Sequence, residues 1–156
     1  MKQKKLLLIS SIGGHLTQLL QLETMFKNYK YHIVTEKSAI TKELKNKYPV
    51  SLLLYGARNY PFRYIFKFSY NTMKSLCIFL RYRPDVVITT GAHTAVPMCY
   101  IAKLFRKKVI FIESFAKSTS PTLSGRLVYP ISDLFIVQWE SMKEIYPKAI
   151  YGGSIY

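Results

Sequence analysis

Acidic side chains are scarce in this sequence: 8 Asp and Glu stand against 23 Lys and Arg, a formal net charge of +15 over 156 residues. A positive field of that size excludes cationic partners and favours anionic ones: a membrane surface, nucleic acid or phosphorylated substrates. Cysteine is nearly missing as well. Cys77 and Cys99, the two present, fall in apolar helical patterns without metal-ligand spacing, and read as buried thiols of a reducing compartment. No long hydrophobic run exists. The longest uncharged stretch, Val86 to Ala102, is interrupted by Gly91, His93 and Pro97 and makes a poor membrane-spanning helix. The basic start Met1-Lys2-Gln3-Lys4-Lys5 precedes an apolar run too short for a secretory signal. Repeats, low-complexity tracts and linkers are absent. So are a Walker loop, a serine nucleophile elbow, a metal-ligand cluster and the full Gly-x-Gly-x-x-Gly spacing of a dinucleotide site.

What remains is a chain with 49% apolar and 15% aromatic residues, enough to fold as one domain over residues 1–156. Apolar strand patterns alternate with helical ones. Strands are expected at Lys5–Ser10, Tyr31–Thr35, Val50–Leu54, Val86–Thr89, Lys108–Ile112 and Leu134–Val137, with a last extended piece at Ala149–Tyr151. Helices are expected at Leu16–Phe26, Ile40–Lys47, Phe62–Tyr82 and Val96–Phe105. Shorter ones are expected at Ser120–Tyr129, capped by Ser120, and at Glu140–Ile145. This alternation predicts a Rossmann-like α/β fold, a parallel sheet with helices on both faces. Ligands then bind beyond the carboxyl ends of the strands, where three loops collect: Ser10–His15, Thr90–Thr94 and Glu113–Ser118.

Each loop carries candidate chemistry. Gly13 and Gly14 let the backbone approach a ligand at a helix start, whose free amides suit an anion. His15 at that start is a side chain able to take a proton near neutral pH. Thr90, Gly91, Ala92, His93 and Thr94 form a second glycine loop that suits a phosphate. Glu113 ends the fifth strand, where a carboxylate serves as general base or hydroxyl binder, with Ser114 and Lys117 beside it. The plain alternatives are a strand-to-helix turn with an incidental His, a capped helix, and a capping or salt-bridging Glu.

Arg58 to Arg83 carries six basic residues, eight aromatics and no acidic one. Wound at 3.6 residues per turn, Phe62, Ile65, Phe66, Met73, Leu76, Cys77 and Leu80 form a face apolar enough to lie on the sheet. Tyr64, Phe68, Phe79 and Tyr82 are then surplus beside the basic stripe Arg63, Lys67, Lys74 and Arg81. That pairing suits an anionic membrane surface; burial in the domain or against a partner protein is the alternative. No nucleic-acid motif is present, so no nucleic-acid partner is expected.

Five motifs occur in order: Gly13-Gly14-His15, Thr90-Gly91-Ala92-x-x-Ala95-Val96-Pro97, Ile112-Glu113-Ser114-Phe115-Ala116, Val137-Gln138-Trp139 and Tyr151-Gly152-Gly153. Together they resemble the bacterial capsular and exopolysaccharide glycosyltransferase accessory subunits. These are similar to the membrane-recruiting subunit of the eukaryotic two-subunit N-acetylglucosaminyltransferase of dolichol-linked oligosaccharide synthesis. The resemblance implies the N-terminal-type domain of a GT-B glycosyltransferase, split onto its own chain. Such a subunit holds a lipid-diphosphate-linked acceptor at the cytoplasmic face of the membrane, as a peripheral protein. It pairs, as a heterodimer or higher assembly, with a subunit that binds the UDP-sugar, and the resemblance implies no metal or cofactor. It assigns His15 to deprotonation of the acceptor hydroxyl, Gly91 and Ala92 to the acceptor diphosphate, and Glu113 to the acidic position of the third loop. His93 stands where the family has a small or apolar residue. The eukaryotic relatives carry an N-terminal membrane helix that this chain is read as lacking, which leaves membrane contact to the Phe62–Tyr82 helix. A purely structural recruiter with no catalytic group, and a basic nucleic-acid-binding module, are the other two functional readings.

Overall fold

The apolar runs become strands because their β-branched and leucine side chains bury on both faces. The computed structural model describes residues 3–56 and 61–155, with side chains of the second stretch from Tyr64 onward. Its strands are β1 (Lys5–Ser10), β2 (Lys30–Glu36), β3 (Val50–Leu53), β4 (Val86–Gly91), β5 (Lys108–Ile112), β6 (Leu134–Val137) and β7 (Ile150–Tyr151). All pair in parallel, in the order β3-β2-β1-β4-β5-β6-β7. The order reverses between β1 and β4, so the crevice expected of a doubly wound sheet opens beyond those two strands.

Alternation along the strands sorts the core into two layers. Leu7, Ile9, Val34, Val87, Val109, Phe111 and Phe135 face one way and pack with Phe79, Met98, Cys99 and Ala102. Those partners come from α4 (Pro61–Tyr82) and α5 (Val96–Leu104). Leu6, Leu8, Ile33, Ile88 and Ile112 face the other way onto Leu19, Leu22 and Phe26. The last three belong to α1 (Gly14–Gln21), the following Leu22, and α2 (Glu23–Phe26). The single helix expected over Leu16–Phe26 is thus two. Leu22 interrupts it with ψ near 11°, and its N–H bonds the carbonyl of Leu19, three residues back. α3 (Ala39–Lys47) starts on a reciprocal capping box between Ser38 and Thr41.

Two further expectations change. The short helix α6 covers Leu123–Val128, and its cap is Thr122, whose Oγ1 accepts the Gly125 N–H at 2.9 Å; Ser120 is not the cap. Glu140–Lys143 is a 3-10 turn. Cys99 is buried, and burial pushes its thiol up to about 12, but Cys77 is exposed.

The largest change concerns α4, whose apolar faces exchange roles. Phe79 is 3% exposed, Ile78 and Tyr82 pack on the core, and Tyr64 and Phe68 are half-buried. Phe66 (77% exposed), Ile65, Met73 and Leu80 face outward instead. Tyr64, Phe68, Phe79 and Tyr82 are therefore not surplus membrane-facing surface. The physical reason is polar. Asn71, buried on the inward face, accepts the Leu54 N–H and donates to the Leu54 carbonyl, both at 2.8 Å. That pairing ties the helix to the chain leaving β3 and turns its more apolar side outward. The Arg63 side chain lies outside the described residues.

Candidate functional site

β4 does not pair evenly with β1. Ile9 lies opposite Thr89, but Ser10 lies opposite Gly91, so Thr90 is skipped. Irregularities of this kind re-aim groups at the rim of a sheet. Here Thr90 turns to His15: its Oγ1 donates to the His15 carbonyl at 2.7 Å, and its carbonyl lies 2.8 Å from His15 Nδ1. A carbonyl only accepts, so Nδ1 carries the proton. In the neutral tautomer that this bond selects, the other ring nitrogen, Nε2, holds the lone pair. Gly91 supplies the backbone turn at this point, where the left-handed region favours glycine. Its φ is +105°, and a Cβ there would lie 3.5 Å from the His15 ring and 3.4 Å from Phe111.

His15 lines an open cavity of about 270 Å³ with Ala92, His93, Lys117, Thr122 and Ser124. The structure thus brings three strand-end loops together, with two imidazoles and one ammonium on one cavity and no carboxylate on its wall. Gly13 and Gly14 are exposed beside it, with open space where a Cβ would stand, and no side chain caps the α1 N-terminus. Ala92 holds φ 72°, a conformation disfavoured for a residue with a Cβ. Adjoining this cavity is a mostly apolar one of about 320 Å³, which shares His93, Leu123 and Ser124 and adds Tyr64, Phe68, Val96 and Leu127.

Several expected site residues serve the scaffold instead. Glu113 is 1% exposed, and its carboxylate accepts from the Ser114 N–H, the Thr122 N–H and hydroxyl, and the Tyr146 hydroxyl, at 2.9 to 3.3 Å. Its oxygens are occupied by these donors, and it does not line the cavity. It fixes the third loop to α6, while burial and the Glu113 charge push the Tyr146 phenol upward. Ser114 donates its own N–H to Glu113 and accepts from the Lys117 N–H; it does not line the cavity. Thr94 is buried, and its hydroxyl donates to Glu36 Oε1 at 2.6 Å. It is not free to bind substrate.

Glu36 is the residue the sequence reading missed. It ends β2, is 1% exposed, accepts from Thr94 and from the Ile12 N–H, and lies 3.8 Å from His93 Nε2. The rule that singled out Glu113, a carboxylate at a strand's carboxyl end, finds Glu36 equally well. Through it the first and second loops share one anchor. The His93 ring also lies 5.5 Å from Tyr64 of α4.

Comparison with known proteins supplies independent findings. A family profile described as "Oligosaccharide biosynthesis protein Alg14 like" matches residues 6–155. The UDP-N-acetylglucosamine transferase subunit ALG14 of Mus musculus is 32% identical, over 97% of this chain and 82% of its own length. The Homo sapiens protein of the same name is 27% identical over 96% and 82%. Among solved structures, MurG of Acinetobacter baumannii superposes with a TM-score of 0.70 at 14% identity, over 88% of this chain and 42% of MurG. The UDP-N-acetylglucosamine 2-epimerase of Rickettsia bellii gives 0.72 at 16%, over 94% and 42%. The chain therefore spans less than half of each of these two structures. The fold is a Rossmann-like, doubly wound parallel sheet shared with these two structures.

Proposed function

The chain belongs to the Alg14-like family, and from that premise we propose that it is the acceptor-binding subunit of a UDP-sugar-dependent glycosyltransferase, active only with a separate donor-binding subunit. The observation that carries the reading is the hydrogen bond from His15 Nδ1 to the Thr90 carbonyl. It leaves Nε2 as a base on a cavity whose neighbours suit the rest of a lipid-linked acceptor. Lys117 and the uncapped amides after Gly13 suit a diphosphate, and the adjoining apolar cavity suits the first units of a lipid chain. In the transfer, Nε2 takes the acceptor hydroxyl proton as that oxygen bonds the anomeric carbon. The bond from that carbon to the nucleotide breaks, and UDP leaves with the electron pair. The relatives' printed name makes N-acetylglucosamine the first sugar to test. The capsular or exopolysaccharide setting is carried by the motif resemblance.

Membrane contact in this reading falls to the outward face of α4: Ile65, Phe66, Met73 and Leu80, flanked by Lys67, Lys74 and Arg81. No helix among the described residues is long and apolar enough to cross a membrane.

The test is sugar transfer by the chain co-purified with its donor-binding subunit, using UDP-N-acetylglucosamine and a polyprenyl-diphosphate-linked acceptor. His15→Ala is expected to lower turnover about 10²–10⁴-fold with the complex intact. A second reading has its own observation: the two reciprocal bonds between His15 and Thr90 also staple α1 to β4, as a purely structural recruiter requires. Full activity of His15→Ala would select that reading.

A further inference from the structure

A cavity of about 570 Å³ lies apart from the His15 crevice. It opens between β2, β3 and the second half of α4. His32 marks its floor, four residues before Glu36 on the same strand, ~13 Å away along it. Two cations, Lys74 and Arg81, stand about two helical turns apart on its wall. None of its lining residues is acidic. Hydrogen-bonding groups face them: His32 Nε2 lies 2.8 Å from Ser51 Oγ, and the Tyr82 ring lies 5.3 Å from that of His32.

The Tyr82 ring closes one side of the cavity, while its hydroxyl is buried away from the open space and has no hydrogen-bond partner among the described residues. Burial, followed by the Asp85 charge, pushes its phenol upward, so it stays a protonated donor. A guanidinium fork, an ammonium and the Ser51 hydroxyl around one cavity match a tetrahedral group with several anionic oxygens. The cavity is larger than a phosphate, and Ile78 and Cys77 give it a less polar flank for what the phosphate is esterified to.

We propose that this cavity between β2, β3 and α4 binds a phosphate ester, held by Lys74 and Arg81 with the Ser51 hydroxyl beside them. Two sources present that chemistry: a soluble sugar or glycerol phosphate, and the headgroup of an anionic phospholipid. The cavity shares α4 with the outward apolar residues Met73 and Leu80, so a lipid held there would have its chains along that face. The lipid source rests on the membrane reading of α4; the soluble source does not.

Cys77 supplies the readout, because it lines the cavity and is exposed while Cys99 is buried with its thiol pushed up to about 12. Alkylation of the full chain by N-ethylmaleimide then reports on Cys77. sn-Glycerol 3-phosphate at constant ionic strength, or vesicles of phosphatidylglycerol against vesicles of phosphatidylcholine, is expected to slow it several-fold. The paired change Lys74→Gln and Arg81→Gln is expected to abolish the ratio with and without ligand while leaving the thermal melt in place. Protection by glycerol phosphate identifies a soluble ester; protection by phosphatidylglycerol alone identifies the headgroup. Absence of protection by either probe, or protection that survives the paired change, overturns the proposal. His15→Ala leaves the protection intact, so its loss of activity and a failure at this cavity are read separately.

Discussion

One hydrogen bond decides what the His15 ring offers. Had Nδ1 faced a donor, the neutral ring would carry its proton on Nε2; with Nδ1 facing the Thr90 carbonyl at 2.8 Å, the neutral ring leaves its lone pair on Nε2. Glu113 shows the converse, a carboxylate whose every neighbour donates. Glu113→Gln places an amide N–H among those donors. The expected cost is about 2–3 kcal/mol of stability, read by urea unfolding, with no loss of turnover in the fraction that remains folded. Turnover lost at unchanged stability would return Glu113 to the reaction. Gly125 is bound to the same network. A Cβ there would meet the Glu113 carboxylate, the Tyr146 hydroxyl at 2.6 Å and Thr122 Oγ1 at 2.9 Å, so Gly125→Ala is expected to destabilise the same loop by about 1–3 kcal/mol. Loops and glycines were legible in the sequence as possible ligand sites. Which carboxylate was spoken for was not, because Tyr146 stands 33 residues from Glu113 in the chain.

At the scale of elements, α4 separates what a periodic pattern can say from what it cannot. Its existence and its end at Tyr82 follow from an uninterrupted helical pattern ahead of Pro84. Its orientation does not, because both faces are apolar and the inward one is chosen by Asn71 and its two bonds to Leu54. The consequence is measurable. Phe66→Ser with Met73→Ser is expected to leave the melting temperature within a few degrees and to reduce flotation with anionic vesicles. Phe79→Ser, inside the core, is expected to cost about 3 kcal/mol or more. Flotation unchanged by the first pair would remove the membrane role from this helix.

Over the whole molecule, four of the 8 acidic residues hold the two ends of the sheet. Glu36 and Glu113 sit buried at the carboxyl ends of the strands. Asp85 and Asp133 sit at the amino ends, where they tie neighbouring strands together. Asp85 accepts the Lys5 N–H, and that bond leads the effects that lower its carboxyl. For Asp133, burial pushes upward, but the Val109 N–H and the Lys103 and Lys108 ammonium groups outweigh it and hold the carboxyl at about 2. A carboxylate depressed in the folded state stabilises above its unfolded value, near 3.9, and loses that contribution as pH falls toward 2. Asp133→Asn is therefore expected to cost about 1 kcal/mol at neutral pH, discounted for solvent screening. Its unfolding midpoint should converge with that of the unmodified chain at about pH 2. A gap that persists in acid would show that the loss is one of packing rather than charge.

By itself the sequence determined the order of strands and helices, the parallel sheet and the edge where its loops gather, because these follow from short-range periodicity and from glycine and proline positions. The motifs along it were enough to point to the family. Tertiary structure alone decided that His15 turns Nδ1 to Thr90, that Glu36 rather than Glu113 joins the first two loops, that α4 turns Phe66 outward, and that Lys74 and Arg81 share a cavity with Ser51. Each of these rests on a contact between segments far apart in the chain, as His15 and Thr90 are by 75 residues. No local pattern records such contacts; only closing the sheet brings the groups within hydrogen-bonding range.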